Sequence, residues 1–241
     1  MPLPIFISER PFYCDSMEFS ADDNVKAKLK GMSIGWIVVK GIIVEGANSG
    51  IDKIMRYVDE RTKLKFGSMG KVPDDPIIKG VRRMFSTIGI DPTKERPSGE
   101  ALIRRIVGGQ GIHRINTVVD FNNSLSIWTG CPCGAYDLDR ISGRVAFVIG
   151  GSGERYEGIK APSLNAENRL LTRDSISVFG GPVADSLRTA ITPATKNVLF
   201  LVYCPPGIEE GFLREVIKGA SDEAKSAIHG DVVESGIYSI S

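Results

Sequence analysis

Asn116, Asp120, Asn122 and Asn123 place four amide and carboxylate side chains in one short stretch. Such groups supply the directional donors and acceptors that line a pocket for a small polar ligand. They also serve as caps and turns that satisfy backbone groups, and spacing alone leaves both readings open. Tyr136 and Asp137 divide in the same way: polar contacts for a ligand, or a packed ring followed by a carboxylate that opens a turn. His113 is the only histidine near this stretch. Its imidazole has the chemistry of a general base or a water-orienting group, and its place beside Arg114 in a glycine-rich turn equally suits an exposed loop residue.

Cys131-Pro132-Cys133 offers two thiols, but a zinc site takes three or four protein ligands. Cys14, Cys204, His113 and His229 are the remaining candidates, none at finger-like spacing. Buried thiols are therefore expected, with no metal and no other cofactor; a disulfide across one residue would be strained. The glycine turns at 108–111, 150–153 and 179–182 lack the Lys-Ser/Thr of a phosphate loop and the spacing of a dinucleotide fingerprint. Gly180-Gly181 either lets a ligand approach backbone amides or makes a tight bend between strands. His229, before Gly230, suits a charge at a helix C-terminus.

Positioning these residues requires a scaffold, and 241 residues at 42% hydrophobic and 24% charged content suffice for a substantial core. The longest apolar run, Ile34 to Val39, ends at Lys40, far short of the ~20 residues that cross a bilayer. The start, MPLPIFISERPF, has no basic segment ahead of an apolar one, so no signal peptide is expected. Four scattered cysteines are too few for a disulfide framework, which points to the reducing cytoplasm.

The elements follow from periodicity. Ile34 to Glu45 reads as a buried strand interrupted at Gly41. Asn48 and Ser49 cap a helix whose apolar face is Ile51, Ile54, Met55 and Val58. Asp75-Pro76 opens a second helix, with Ile77, Ile78, Val81, Met84, Phe85 and Ile88 as its stripe, and Gly89 closes it. A third runs from Ser98 to Gly108-Gly109 and buries Leu102, Ile103 and Ile106. Strands are expected at Val145 to Ile149, Leu170 to Phe179 and Asn197 to Cys204, separated by glycine, proline and serine turns. A helix around Phe212 to Ile217 and a last strand at Val232 to Ile240 follow. Helices in the first half and strands in the middle predict an α+β fold with a β-rich core, residues 34–241 forming one domain and residues 1–33 a peripheral arm.

Charge is uneven. Between Lys79 and Arg114 there are eight Lys/Arg against three acids, a net of +5 on a chain whose total is +1. Lys79, Arg82, Arg83, Arg104, Arg105 and Arg114 are the candidates for contact with RNA phosphates, and a solvated helix face is the alternative.

Residues 91 to 143 carry a specific pattern: Arg114-Ile115-Asn116, Val118-Val119-Asp120, Asn123, Gly130, Pro132, and Ala135-Tyr136-Asp137-Leu138-Asp139 followed by Ile141 and Gly143. Weaker agreement continues through Val178-Phe179-Gly180-Gly181 and Thr195-Lys196-Asn197-Val198-Leu199. Over about residues 78 to 205 the chain resembles the B3/B4 domain of the phenylalanyl-tRNA synthetase β subunit and its free-standing relatives. The first 75 residues resemble the amino-terminal extension of those free-standing proteins. The resemblance implies an RNA partner, tRNA or an aminoacyl-tRNA end, and a proofreading pocket that removes tyrosine from the phenylalanine tRNA. It places Asn116, Asp120, Asn122, Asn123, Gly134, Tyr136, Gly180 and Gly181 around one concavity. The family's Thr-Asn pair is Asn122-Asn123 here, its histidine is Gly134, and its glutamate falls near Leu201. A pocket that discriminates by hydrogen bonds loses that discrimination with its partner groups. The expected function is a tRNA-binding module that deacylates an amino acid other than tyrosine; the alternative is a non-catalytic domain that binds a free amino-acid-like molecule.

Overall fold

The computed structural model describes residues 17–241. Its elements in chain order are β1 (Phe19–Ala21), α1 (Asp23–Lys28), β2 (Ser33–Lys40), α2 (Ser49–Phe66), α3 (Pro76–Thr87), α4 (Ser98–Val107), α5 (Thr117–Thr129), β3 (Cys133–Asp137) and β4 (Val145–Ile149). There follow β5 (Arg155–Tyr156), β6 (Leu164–Asn165), β7 (Leu170–Arg173), β8 (Val178–Gly180), β9 (Asn197–Cys204), α6 (Glu210–Ile228) and β10 (Asp231–Ser239). The fold is α+β.

Two four-stranded sheets carry it. The first, in order β10-β2-β9-β3, is antiparallel throughout. The second, in order β1-β4-β7-β8, has a parallel β1–β4 pair and antiparallel neighbours beyond it. β5 and β6 form a separate small hairpin. Helices α5 and α6 pack on the first sheet, with α2 against both helices and α4 against α5. Aromatic rings fill the space between the sheets: Phe147 meets Tyr203 edge-on, and Phe19 sits against Trp36, Phe147 and Tyr238.

The local causes are those the sequence indicates. Asn48 caps α2 by accepting from the Ile51 N–H at 2.9 Å, and Asp75 caps α3 at the Ile77 and Ile78 N–H groups. β9 spans its expected residues and is buried nearly end to end. Two expectations change. Leu170 to Phe179 is two strands, because Asp174 turns the chain by accepting from the Ile176 and Ser177 N–H groups at 2.9 and 3.0 Å. Residues 1–16 of the expected arm lie outside the described residues, but residues 17–33 are built into the domain. β1 pairs with β4, and Val25, Leu29 and Met32 are buried in the main core.

Candidate functional site

Helix α5 organises the site. Ten of its thirteen residues are buried, so it lacks the single apolar stripe of a surface helix. Asn116 is its N-cap, the Oδ1 accepting from the Val119 N–H at 2.9 Å. Asp120 is fully buried and accepts from the Ile115 N–H at 3.1 Å and the Arg114 Nε at 2.5 Å. Arg114 also reaches Asp52 on α2 at 2.9 Å. Asp120 and Arg114 thus tie the start of α5 to α2, and neither borders the cavity described next.

That cavity, about 560 Å³, lies beside α5 and is walled by α4, the 112–116 segment, β3 and the β5–β6 hairpin. His113, Asn116, Asn122 and Asn123 line it, as do Arg105, Lys160 and Asp185. Arg105, His113 and Lys160 are exposed. Asn122 Nδ2 donates to the Cys133 carbonyl at 3.3 Å, which fixes the amide with its Oδ1 as the remaining acceptor. Seven buried side-chain polar atoms have no hydrogen-bond partner among the described residues, and three of them, Ser98 Oγ, Asn122 Oδ1 and Asp185 Oδ1, belong to residues bordering this cavity. Each of these three atoms is itself shielded from solvent, so it lies behind the cavity's lining surface. A smaller groove of about 380 Å³ between α2, α5 and α6, lined by Tyr57, Trp128 and other apolar groups, contains no such atom.

Tyr136 stands behind the cavity. A Cβ on Gly134 would lie 2.1 Å from its hydroxyl oxygen, and one on Gly180 would lie 2.4 Å from its ring. The ring therefore occupies the space that any larger side chain at those two glycines would need. Gly134 pairs with Leu201 across β3 and β9, so the positions expected to have lost a histidine and a glutamate are neighbours, and Leu201 is fully buried. The Tyr136 hydroxyl is 3.1 Å from that of Tyr203, which is 2.6 Å from Thr172 Oγ1 on β7, a buried row linking the two sheets. Asp185 lies at the end of that row. Burial pushes its carboxyl up to about 7, although the Tyr136 hydroxyl and the Gly181 N–H, both turned to it, favour the ionised form and offset part of the rise. Burial likewise holds the Tyr136 phenol well above its usual range. Asp185 was not among the residues singled out in the sequence; its only signal there is its place just beyond Gly180-Gly181.

The basic residues separate into two kinds. Glu100 is buried and accepts from Arg82 at 2.9 and 3.0 Å and from Arg104 at 2.8 Å. Arg82 therefore joins α3 to α4, Arg104 braces the same carboxylate from within α4, and the two do not form an open surface. Lys79 pairs with exposed Asp74 at 3.2 Å. Arg83 and Arg105 are exposed and have no ion-pair partner among the described residues, and Arg105 alone of the basic residues named from the sequence borders the cavity. Cys131, Cys133 and Cys204 are buried free thiols, while Cys14 lies outside the described residues. His229 closes α6 in the left-handed conformation, with its Nε2 3.2 Å from Glu45.

Among known proteins, the chain is 30% identical over 128 residues to the phenylalanine–tRNA ligase beta subunit of Malacoplasma penetrans, covering 52% of this chain and 16% of that one. It is 32% identical over 111 residues to the corresponding subunit of Leifsonia xyli, covering 45% and 13%. The chain thus spans under a fifth of the length of these relatives. An N-terminal fragment of the phenylalanyl-tRNA synthetase beta subunit from Pyrococcus horikoshii aligns with a TM-score of 0.47 at 14% identity, over 90% of this chain and 50% of that one. No helix among the described residues is long and apolar enough to cross a membrane. The B3/4 domain family matches residues 80–210, more than half of the chain and all of α5 with its cavity-lining amides, and the protein belongs to that family.

Proposed function

We propose that this chain is a tRNA-associated B3/4 unit, residues 17–241 working as one body, whose cavity beside α5 receives the aminoacyl end of a tRNA. In this reading it acts in the cytoplasm, in trans, as a deacylase of an amino acid other than tyrosine. The observation that carries the reading is the cavity itself: Asn116, Asn122 and Asn123 along one wall, with exposed Arg105, His113 and Lys160 among its lining residues. Acceptors within suit an amino acid, and cations without suit the phosphates of the terminal nucleotides. Asn116, Asn122 and Asn123 hold the aminoacyl group. His113 is the candidate to orient or deprotonate the water that attacks the ester carbonyl, after which the carbonyl–oxygen bond to the ribose breaks and the proton passes to that oxygen. Tyr136, Gly134, Gly180 and Gly181 form the wall behind. Arg83, Arg105 and Lys160 are the RNA contacts; Arg82, Arg104 and Arg114 are committed to buried carboxylates.

The test is binding of total tRNA across a salt series, followed by release of amino acid from a panel of aminoacyl-tRNAs. Binding should weaken steeply with salt, and the triple substitution Arg83→Glu, Arg105→Glu, Lys160→Glu should lower the slope by about 2–3. His113→Ala should slow deacylation without changing binding. Absence of tRNA binding at low salt removes RNA from the reading. The second reading, a domain that binds a free amino-acid-like molecule, is favoured by one feature: Gly134 and Leu201 supply no polar side chain at paired positions. It predicts ligand binding that salt leaves unchanged.

A further inference from the structure

We propose that the groove of about 380 Å³ between α2, α5 and α6 is a second binding site, one that takes an organic cation with an aromatic body. Helix α5 separates it from the cavity already described. Phe121, Ser124, Leu125 and Trp128 recur at helical spacing on the face of α5 that floors the groove, while Asn116, Val119, Asn122 and Asn123 face the cavity, and the two share no lining residue. The family match runs from 80 to 210, whereas α2 ends at Phe66 and α6 begins at Glu210. Two of the three walls thus come from chain outside that match, and the inference stands independently of the proposed function.

The groove is built by backbone contact at one end and an aromatic ring at the other. α2 and α6 touch where Gly50 meets Ser226, with no room for a Cβ at Gly50 against the Ser226 carbonyl. About one turn from that contact stand the charged lining residues, Lys53 on α2 and Asp222 and Glu223 on α6. Farther along lie Tyr57, exposed, and Trp128, half-buried. The Trp128 ring rests against α6 because residue 219 is glycine: a Cβ there would lie 2.7 Å from the ring and force it away from the helix.

A cleft of this volume between helices, with apolar and aromatic walls and a few polar groups at one end, has the form of a small-molecule site. Complementarity sets the sign of the ligand's charge. Two carboxylates stand against one ammonium, and the faces of Tyr57 and Trp128 attract cations through their quadrupoles. Asp222 is 2.6 Å from Lys218, but both are exposed, and such a pair holds weakly. Glu223 accepts from the Ser226 hydroxyl at 3.2 Å, which leaves its charge unneutralised. A bound cation therefore lays its aromatic body on Leu125 beside Tyr57 and Trp128 and turns its charged end to Asp222 and Glu223.

The experiment compares three probes with one aromatic body, naphthylethylammonium, naphthylethanol and naphthylpropionate, on the full chain by calorimetry and by NMR of the two indole N–H groups. Trp36 lies between the sheets, against Phe19, and serves as the internal control. The cation should bind tenfold or more tightly than the alcohol, the carboxylate least, and the Trp128 resonance alone should move. The double substitution Asp222→Asn, Glu223→Gln changes exposed positions and should erase the preference for the cation. Lys53→Met should tighten the cation about twofold to threefold, and Gly219→Ala should weaken all three probes by displacing Trp128. Equal binding of cation and alcohol, tightest binding by the carboxylate, or a preference that survives the double substitution would overturn the proposal. So would a failure of every probe to bind, including the case in which sedimentation shows the groove closed by a second copy of the chain. None of these substitutions touches the cavity on the other face of α5, so tRNA binding and deacylation report on the proposed function separately.

Discussion

Two carboxylates, Glu100 on α4 and Asp185 beside the cavity, behave in contrary ways. Glu100 is closed off: both oxygens are engaged by Arg82, and Arg104 adds a third bond. Asp185 is left without a cation, one oxygen shielded from solvent and unpartnered among the described residues, and burial pushes its carboxyl up to about 7. A satisfied buried charge reports on architecture, and an unsatisfied one reports on what the site is meant to receive. Half of the six cations that make the 79–114 segment look like an RNA-binding run, Arg82, Arg104 and Arg114, are spent on carboxylates of the first kind.

The comparison breaks or sharpens under four measurements. Glu100→Gln leaves Arg82 and Arg104 without their common anion and should cost about 3–5 kcal/mol in urea unfolding; a cost below about 1 kcal/mol would mean that the cluster is solvated. Asp185→Asn should do the reverse. The folded carboxyl keeps its proton up to about 7 while the unfolded one releases it near 3.8. Between those values the folded chain holds more protons, and wild-type stability falls as pH rises. The substitution should therefore stabilise the ligand-free protein by on the order of 2–4 kcal/mol at pH 8 and by little at pH 4. Destabilisation at pH 8 would show that Asp185 is satisfied after all. Tyr203→Phe removes the middle hydroxyl of the row joining the sheets and should cost about 1–2 kcal/mol in thermal unfolding, with no pH dependence. Single substitutions at Arg83, Arg105 and Lys160 should change stability by less than about 0.5 kcal/mol, so a loss of tRNA binding there reads as lost contact.

Much of the scaffold was legible in the sequence because its signals are local. Asn48 and Asp75 cap where their types predict, and β9 is a run of β-branched and aromatic residues that nothing else could accommodate. Helix α5 was not, because burial on every side removes the periodicity that would have announced it. The site was half legible. Asn116, Asn122 and Asn123 line the cavity, but Asp120 turns to Arg114, and Arg82 and Arg104 turn to Glu100. Which of two nearby carboxylates an arginine chooses is decided by helix packing between distant segments, and no spacing rule carries that. Asp185 escaped notice for a related reason: an aspartate in a loop is an ordinary residue until the rings of β3 and β9 close behind it.

The position of β2 bears on how the chain is made. This strand, buried from Ile34 to Val39, finds its only ladder partners in β9 and β10, near the far end of the sequence. On the ribosome it must wait, an apolar strand with two open edges, until those partners emerge. Long-range pairing of this kind slows folding, and a nascent chain stopped before residue 197 should bind a chaperone through residues 33–40, whereas one carried past residue 239 should release it.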